Sequence, residues 1–326
     1  MARLGFLLVI LATGTTLAAT PLDNAIRLSL AESYVTASLL SSGDAVRFGF
    51  WDFDPNSLFN LDNDDFGSLE AQQRRQRLTT FSLPITWETT VGVQEDILEL
   101  GAKAAYVESA QETQLVSSSS RIKDTITNSV TSLSAGASLT RRVSPQLALS
   151  SGLNGHWMRY DNDTDFNTAA SRPLAPLVDG LITNYTTDAW LAEPHVGATY
   201  FIDGPDSEVQ LFSDYHYMSG HTYHADQAAH DVQPEAWYWA NGVRWRHPVV
   251  SHLLPGQNAW LRAARYDLGG DLDGPLGNHY YFEAGVGWLL DLKGRLPYVE
   301  NIGIGVNLNY GSLLRGGTLV LLFNEE

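Results

Sequence analysis

The sequence predicts an all-β transmembrane barrel of about twelve antiparallel strands, with an N-terminal helix in its lumen. Three observations carry that expectation. From residue 44 onward apolar and polar residues alternate with a period of two. The connections between alternating segments are short and long by turns. The last apolar segment, Gly316–Phe323, ends on an aromatic residue, and in hydrocarbon such an edge must pair with the first strand, because unpaired backbone groups are too costly there.

Met1-Ala2-Arg3 is a short positive start, and Leu4 to Leu17 is apolar apart from small residues. That run is too short to cross a bilayer core of about 30 Å as a helix, so residues 1–19 read as a signal peptide, cleaved after Ala18 or Ala19. Thr20-Pro21-Leu22-Asp23 carries the marks of a helix start: a hydroxyl cap, a proline in the first turn and a carboxylate after it. From Asn24 the apolar residues recur at helical spacing, with Ile26, Leu30, Tyr34 and Ala37 on one stripe and Leu28, Ala31, Val35 and Leu39 on another. Ser29, Glu32, Ser33 and Thr36 make a narrow polar face, and Ser41-Ser42-Gly43 closes the element. A helix this apolar needs cover, and residues 20–43 are expected to plug the barrel formed by residues 44–326.

The alternating segments are 44–53, 78–88, 96–107, 127–141, 146–160, 187–202, 208–218, 235–247, 257–267, 279–291, 299–310 and 316–323. In 301–310, Ile302, Ile304, Val306, Leu308 and Tyr310 alternate with asparagines and glycines, so one face suits lipid and the other is polar or small. Trp51, Trp87, Trp237, Trp239, Trp245 and Trp260 fall near segment ends and suggest aromatic girdles. Pro194, inside a segment, implies a bulge that would re-aim its neighbours. Links at 89–95, 142–145, 203–207, 248–256 and 292–298 are short; those at 54–77, 108–126, 161–186, 219–234 and 268–278 are longer, and only the brief 311–315 link, which ought to be external, departs from the alternation. Short periplasmic turns and longer external loops match that pattern, and an even strand count then leaves both termini in the periplasm.

Mean hydropathy is −0.14 and no second long apolar run exists, which excludes a helical membrane protein. The formal net charge of −17 disfavours nucleic acid as a partner. Without cysteine, disulfides, thiolate metal sites and an N-terminal lipid anchor are excluded. Lys103, Lys123 and Lys293 are the only lysines, and the arginines that make up the other basic residues suit fixed carboxylate or phosphate partners.

A helix followed by about twelve strands resembles the translocator domain of autotransporters, in which a luminal helix tethers a secreted passenger. The stretches Asp65-Phe66-Gly67-Ser68-Leu69-Glu70 and Phe81-Ser82-Leu83-Pro84-Ile85-Thr86-Trp87-Glu88 carry the resemblance best, and it extends over the whole mature chain as the solitary, passenger-free autotransporter-like barrel family. The resemblance implies a bacterial outer-membrane location. It also implies an assembly signal in Leu319, Leu321 and Phe323, although the tail Asn324-Glu325-Glu326 departs from a terminal aromatic.

Alternation places His156, Glu193, His195, Asp214, His216, Arg244, Arg246 and Glu283 in the lumen. Three imidazoles and two carboxylates on consecutive strands suit a charge-compensating network around the plug, with Arg27 as a candidate member, or a pH-sensitive gate or weak metal site. Asp214, His216, Ser219 and His221 offer acid, base and hydroxyl in tandem, with His224 and His230 following as further metal-ligand types. Asp161, Asp163 and Asp165 begin like a calcium loop but continue with Phe166 and reach Arg172 at the twelfth position, so that motif fails; Asp62, Asp64 and Asp65 form another acidic loop. No catalytic residue, metal or cofactor is assigned. The expected function is a structural or narrow-pore role, with outer-membrane lipids and the barrel-assembly machinery as partners and a monomeric state. The alternatives are an outer-membrane lipid hydrolase or esterase, and a surface receptor or adhesin using its acidic external loops.

Overall fold

The computed structural model describes residues 21–42, 47–49, 77–93, 96–113, 115–116, 122–203, 208–249, 256–273, 279–296, 299–311 and 315–323. Expectations about the signal peptide, Trp51, the acidic loop at 62–65 and the tail fall outside them. Helix α1, Pro21–Leu40, is followed by β1 Arg47–Gly49, β2 Arg77–Val91, β3 Asp96–Thr113, β4 Asp124–Ser144, β5 Leu147–Asp165 and β6 Tyr185–Asp203. Then come β7 Glu208–Tyr223, β8 Glu235–Pro248, β9 Gln257–Gly270, β10 Tyr280–Leu296, β11 Val299–Tyr310 and β12 Arg315–Phe323. Each strand pairs antiparallel with its sequence neighbours, and β1 closes the cylinder against β12 through Arg47 and Val320.

Side-chain parity decides what each wall residue meets. Leu83, Ile85, Leu153, Val196, Val286 and Ile304 point outward and are exposed, as a lipid-facing surface requires. On β4 the outward row reads Thr125, Thr127, Ser129 and Thr131, then changes to Leu133, Ala135, Ala137 and Leu139. On β5 it runs from Leu147 to Trp157 and then becomes Arg159, Asp161, Asp163 and Asp165. Apolar band and polar extension thus meet at Leu133 and Trp157, so β4 and β5 outgrow the membrane at the long-loop end. Residues expected in loops, Asp161, Asp163 and Asp165 among them, are strand residues of this extension.

Two expectations need correction. Pro194 makes no bulge. The β6–β7 ladder skips Glu193 and Pro194 but resumes in the same register, Ala192 opposite Ser219 and His195 opposite His216, while β5 pairs with β6 without a break. Proline removes one donor, and the uninterrupted side holds the strand in line. Trp260 is not in a girdle: it points inward and is buried with Leu289, Val320 and Leu322. The inward glycines of β10 and β11 make that cluster possible. A Cβ on Gly285 would lie 2.8 Å from the Trp260 ring, and one on Gly287 would lie 2.5 Å from Leu322 Cδ1. Trp87, Trp239 and Trp288 do face outward and are exposed.

Helix α1 lies inside the cylinder. Leu30, Tyr34 and Val35 are fully buried among Met158, Tyr160, Leu191, Met218, Tyr238 and Tyr266 of the inner wall. Arg27 donates to the carbonyl of Ala228 in the long β7–β8 connection, Tyr34 to Thr187 near the start of β6, and Ser38 to Glu193 further down the same strand. The helix therefore descends from the long-loop mouth to mid-barrel, whereas β12 ends at the opposite mouth, with Phe323 opposite Ile302. Counting strands alone puts both termini on one side. The helix adds a further passage, so Pro21 and Phe323 lie at opposite ends. In this cysteine-free chain, a membrane-impermeant maleimide should label Asn24→Cys from the same side as His224→Cys, and Val93→Cys, in the β2–β3 turn, only from the other.

Candidate functional site

The lumen is organised around one carboxylate. Glu193, on the inner face of β6, is 3% exposed. Its Oε1 accepts from His216 Nδ1 at 2.6 Å and from the Tyr238 hydroxyl at 3.2 Å. Its Oε2 lies 2.8 Å from His156 Nε2, an ion-pair approach without hydrogen-bond alignment, and accepts from Ser38 Oγ of α1 at 3.5 Å. A carboxylate only accepts, so the imidazole on its Oε1 edge is a donor there. His156, Glu193 and His216 come from β5, β6 and β7 because all three strands keep register through Pro194.

Stacking fixes the rings. His216 lies between His195 and Tyr238, with centroids at 5.0 Å and 4.4 Å and planes within 18° and 10°. His195 Nε2 approaches Ser138 Oγ at 3.4 Å, and Gly152 leaves room for the His195 ring, because a Cβ there would come within 2.5 Å of it. Below Ser38, Lys103 Nζ donates to the carbonyls of Ser41 and Ser42 at 3.0 and 3.2 Å. A cation there satisfies carbonyls that the helix end leaves open and faces the negative end of its dipole. Tyr34 Oη donates to Thr187 O at 2.6 Å.

The eight luminal residues expected from alternation all lie on the inner face, in three groups. His156, Glu193, His195 and His216 form the network just described. Asp214 lies beyond it on β7, its Oδ1 beside Gly197. Glu283 sits 3.6 Å from Arg262 Nε, and Arg244 and Arg246 stand on β8 toward the short-turn end. Arg27 does not join the network, because it is engaged at the mouth by Ala228. The imidazoles point at a carboxylate rather than at a common vacancy, and the described residues contain no metal-ligating trio. Of the tandem acid, base and hydroxyl, Asp214 and His216 face the lumen while Ser219 and His221 face outward, so the wall separates them. His230 stacks on Tyr185 at 4.0 Å and His224 is exposed, so the four histidines between 216 and 230 do not converge. Asp161 accepts from Thr186 across the strand pair. Of the three residues expected to carry an assembly signal, Leu321 faces outward opposite Ile304, and Leu319 and Phe323 pair with Val306 and Ile302.

Sequence reasoning missed Ser38, Lys103, Tyr34 and Tyr238. Two carried a signal: Ser38 interrupts the apolar side of the helix, and Lys103 is a lysine in the middle of an alternating segment. Tyr34 and Tyr238 look like ordinary apolar positions, and only the structure shows where their hydroxyls go.

The family model of the solitary outer membrane autotransporter beta-barrel domain matches residues 31–325. Among solved structures, the transport unit of the autotransporter AIDA-I from Escherichia coli is 12% identical, covering 91% of this chain and 99% of its own, with a TM-score of 0.49. The beta domain of the Bordetella autotransporter BrkA is 12% identical over 76% and 88%, TM-score 0.44. LpxR from Salmonella typhimurium is 10% identical over 80% and 95%, TM-score 0.38. No curated protein matches by sequence.

Removing the carboxylate would leave His156, His216, Tyr238 and Ser38 facing a void. Glu193→Ala should therefore destabilise the folded barrel by about 1–3 kcal/mol, read as a lower temperature for conversion from folded to unfolded gel migration. Tyr34→Phe, which loses one hydrogen bond and leaves the Thr187 carbonyl unpaired, should cost about 1 kcal/mol by the same measurement.

Proposed function

The chain belongs to the solitary outer membrane autotransporter beta-barrel family, and from that membership we propose that it is a narrow pore of the bacterial outer membrane held shut by its own helix. The observation that carries the proposal is the anchoring of α1 to the wall at four heights, by Ala228, Thr187, Glu193 and Lys103. Eight-stranded barrels are filled by their own side chains and much larger ones hold open channels. A twelve-stranded wall leaves a space that one helix fills. Three of the four ties run through single side-chain hydrogen bonds that water can replace, so the helix is held by polar contacts that can exchange and by an apolar stripe that must stay covered.

On this reading the segment preceding Pro21 emerges at the long-loop mouth, outer-membrane lipids surround the apolar band, and the barrel-assembly machinery reads the β12 segment. An esterase finds no support in the tandem motif, whose hydroxyl lies across the wall from its acid and base. Planar-bilayer recordings test the pore: the intact chain should conduct little, and a correctly assembled barrel lacking residues 21–42 should conduct steadily. Lys103→Met should produce intermittent openings, because it frees the lower end of the helix while leaving the wall intact. If the shortened barrel conducts no better than the full chain, the helix is not the barrier.

A further inference from the structure

In a chain whose formal net charge is −17, the inner wall gathers arginines at its short-turn end, although acids share that face, with Glu208 opposite Arg246 in the β7–β8 register. Among the wall arginines whose side chains are described, four are answered by a nearby carboxylate. Arg141 lies 2.6 Å from Asp96, Arg159 lies 2.8 Å from Asp188, Arg265 lies 2.6 Å from Asp267, and Arg262 lies 3.6 Å from Glu283. Arg142, Arg244 and Arg246 are different. All three stand on the inner face toward the short-turn end, and none has an ion pair among the described residues. Asp214 and Glu283, acids facing the same lumen from β7 and β10, have partners of their own.

What these arginines have instead is rings. The Arg142 guanidinium stacks 4.5 Å over Phe201, and those of Arg244 and Arg262 lie 4.6 and 5.1 Å from the centroid of the Phe212 ring. The register joins them into one row: Phe201 is opposite Gln210, Gln210 opposite Arg244, and Arg244 opposite Arg262, with Arg246 one pleat nearer the short-turn mouth. A guanidinium stacked on a ring uses its face and leaves its in-plane N–H groups to bind a planar, bidentate acceptor. Like charges directly opposite each other across a strand pair destabilise a sheet. Arg244 faces Arg262 in that way, and an anion between them would remove the repulsion. Low-dielectric walls around an aqueous lumen concentrate the field of such a group.

We propose that the short-turn end of the lumen, between β4 and β8, is a binding site for small phosphate- or carboxylate-bearing anions held by Arg142, Arg244 and Arg246. The site lies below the helix, so its occupancy is separate from whether the pore opens. Isothermal titration of the full-length, detergent-solubilised chain with inorganic pyrophosphate, at fixed ionic strength, tests it. Saturable binding is expected, weakening as sodium chloride rises. The triple variant R142Q/R244Q/R246Q should bind about tenfold or more weakly, while R141Q and R159Q, outward-facing and ion-paired, should bind as the parent does. Should the triple variant not reach the heat-modifiable folded form, R246Q alone, whose side chain has no ion pair or stacked ring among the described residues, should weaken binding by about threefold. Absence of saturable binding, binding that survives all the luminal substitutions, or an equal loss in R159Q would each overturn the proposal, the last by assigning the anion to the outer surface of the wall.

Discussion

Backbone closure is the constraint from which the rest follows. In hydrocarbon no water can satisfy an exposed N–H or C=O, so the sheet must end where it began. The seam is narrow: β1 has three described residues, and Arg47 opposite Val320 joins it to β12. Closure fixes the parity of every strand, and parity sorts each residue to lipid or lumen. It also sets the width of the cylinder, and that width creates a second problem, an interior that the wall side chains alone do not fill.

The interior is filled differently at its two ends. Toward the long loops, α1 supplies the volume, and large residues such as Met158, Met218 and Tyr266 pack against it. Toward the short turns, between β9 and β12, Trp260, Leu289 and Leu322 turn inward over the glycines of β10 and β11. Small residues that look like a polar-face default in sequence are thus the complement of large ones on the adjacent strands, since a side chain on Gly285 would strike the Trp260 ring. The polar inner wall of β4 to β8 holds the Glu193 network at the level of the helix end and the luminal arginines toward the short turns.

Architecture was legible in the sequence because period-two alternation is a local property that each strand displays on its own. The helix and the described strands fall where the helical spacing and the alternation put them, with the ends of β4 and β5 displaced outward because they continue past the membrane as polar sheet. What the chain could not display locally is where an inward residue ends up in three dimensions. Trp260 sits close to a segment end and reads as girdle, yet its parity turns it inward. The direction of α1 was likewise invisible, since nothing in Pro21–Leu40 says which mouth it enters. His156, Glu193 and His216 could be assigned to one face, but their convergence depends on register across three strands, and the partners from α1 and β3 depend on the helix being inside.

The rules of sheet formation are strained at two mid-strand positions of the described wall, and both lie at the helix anchors. Proline cannot donate to a ladder and is normally kept to edges, strand starts or bulges. Pro84 lies within β2 directly opposite Lys103, the residue that caps the lower end of α1. Pro194 lies within β6 next to Glu193, where the ladder to β7 skips two positions. Each removes a donor from the wall beside the side chain that grips the helix. Where a sequence breaks a local rule that the fold otherwise obeys, the break tends to mark a working position. Here the two breaks sit on β2 and β6, at the level where the helix ends, so the wall gives up ladder hydrogen bonds beside the side chains that hold its plug.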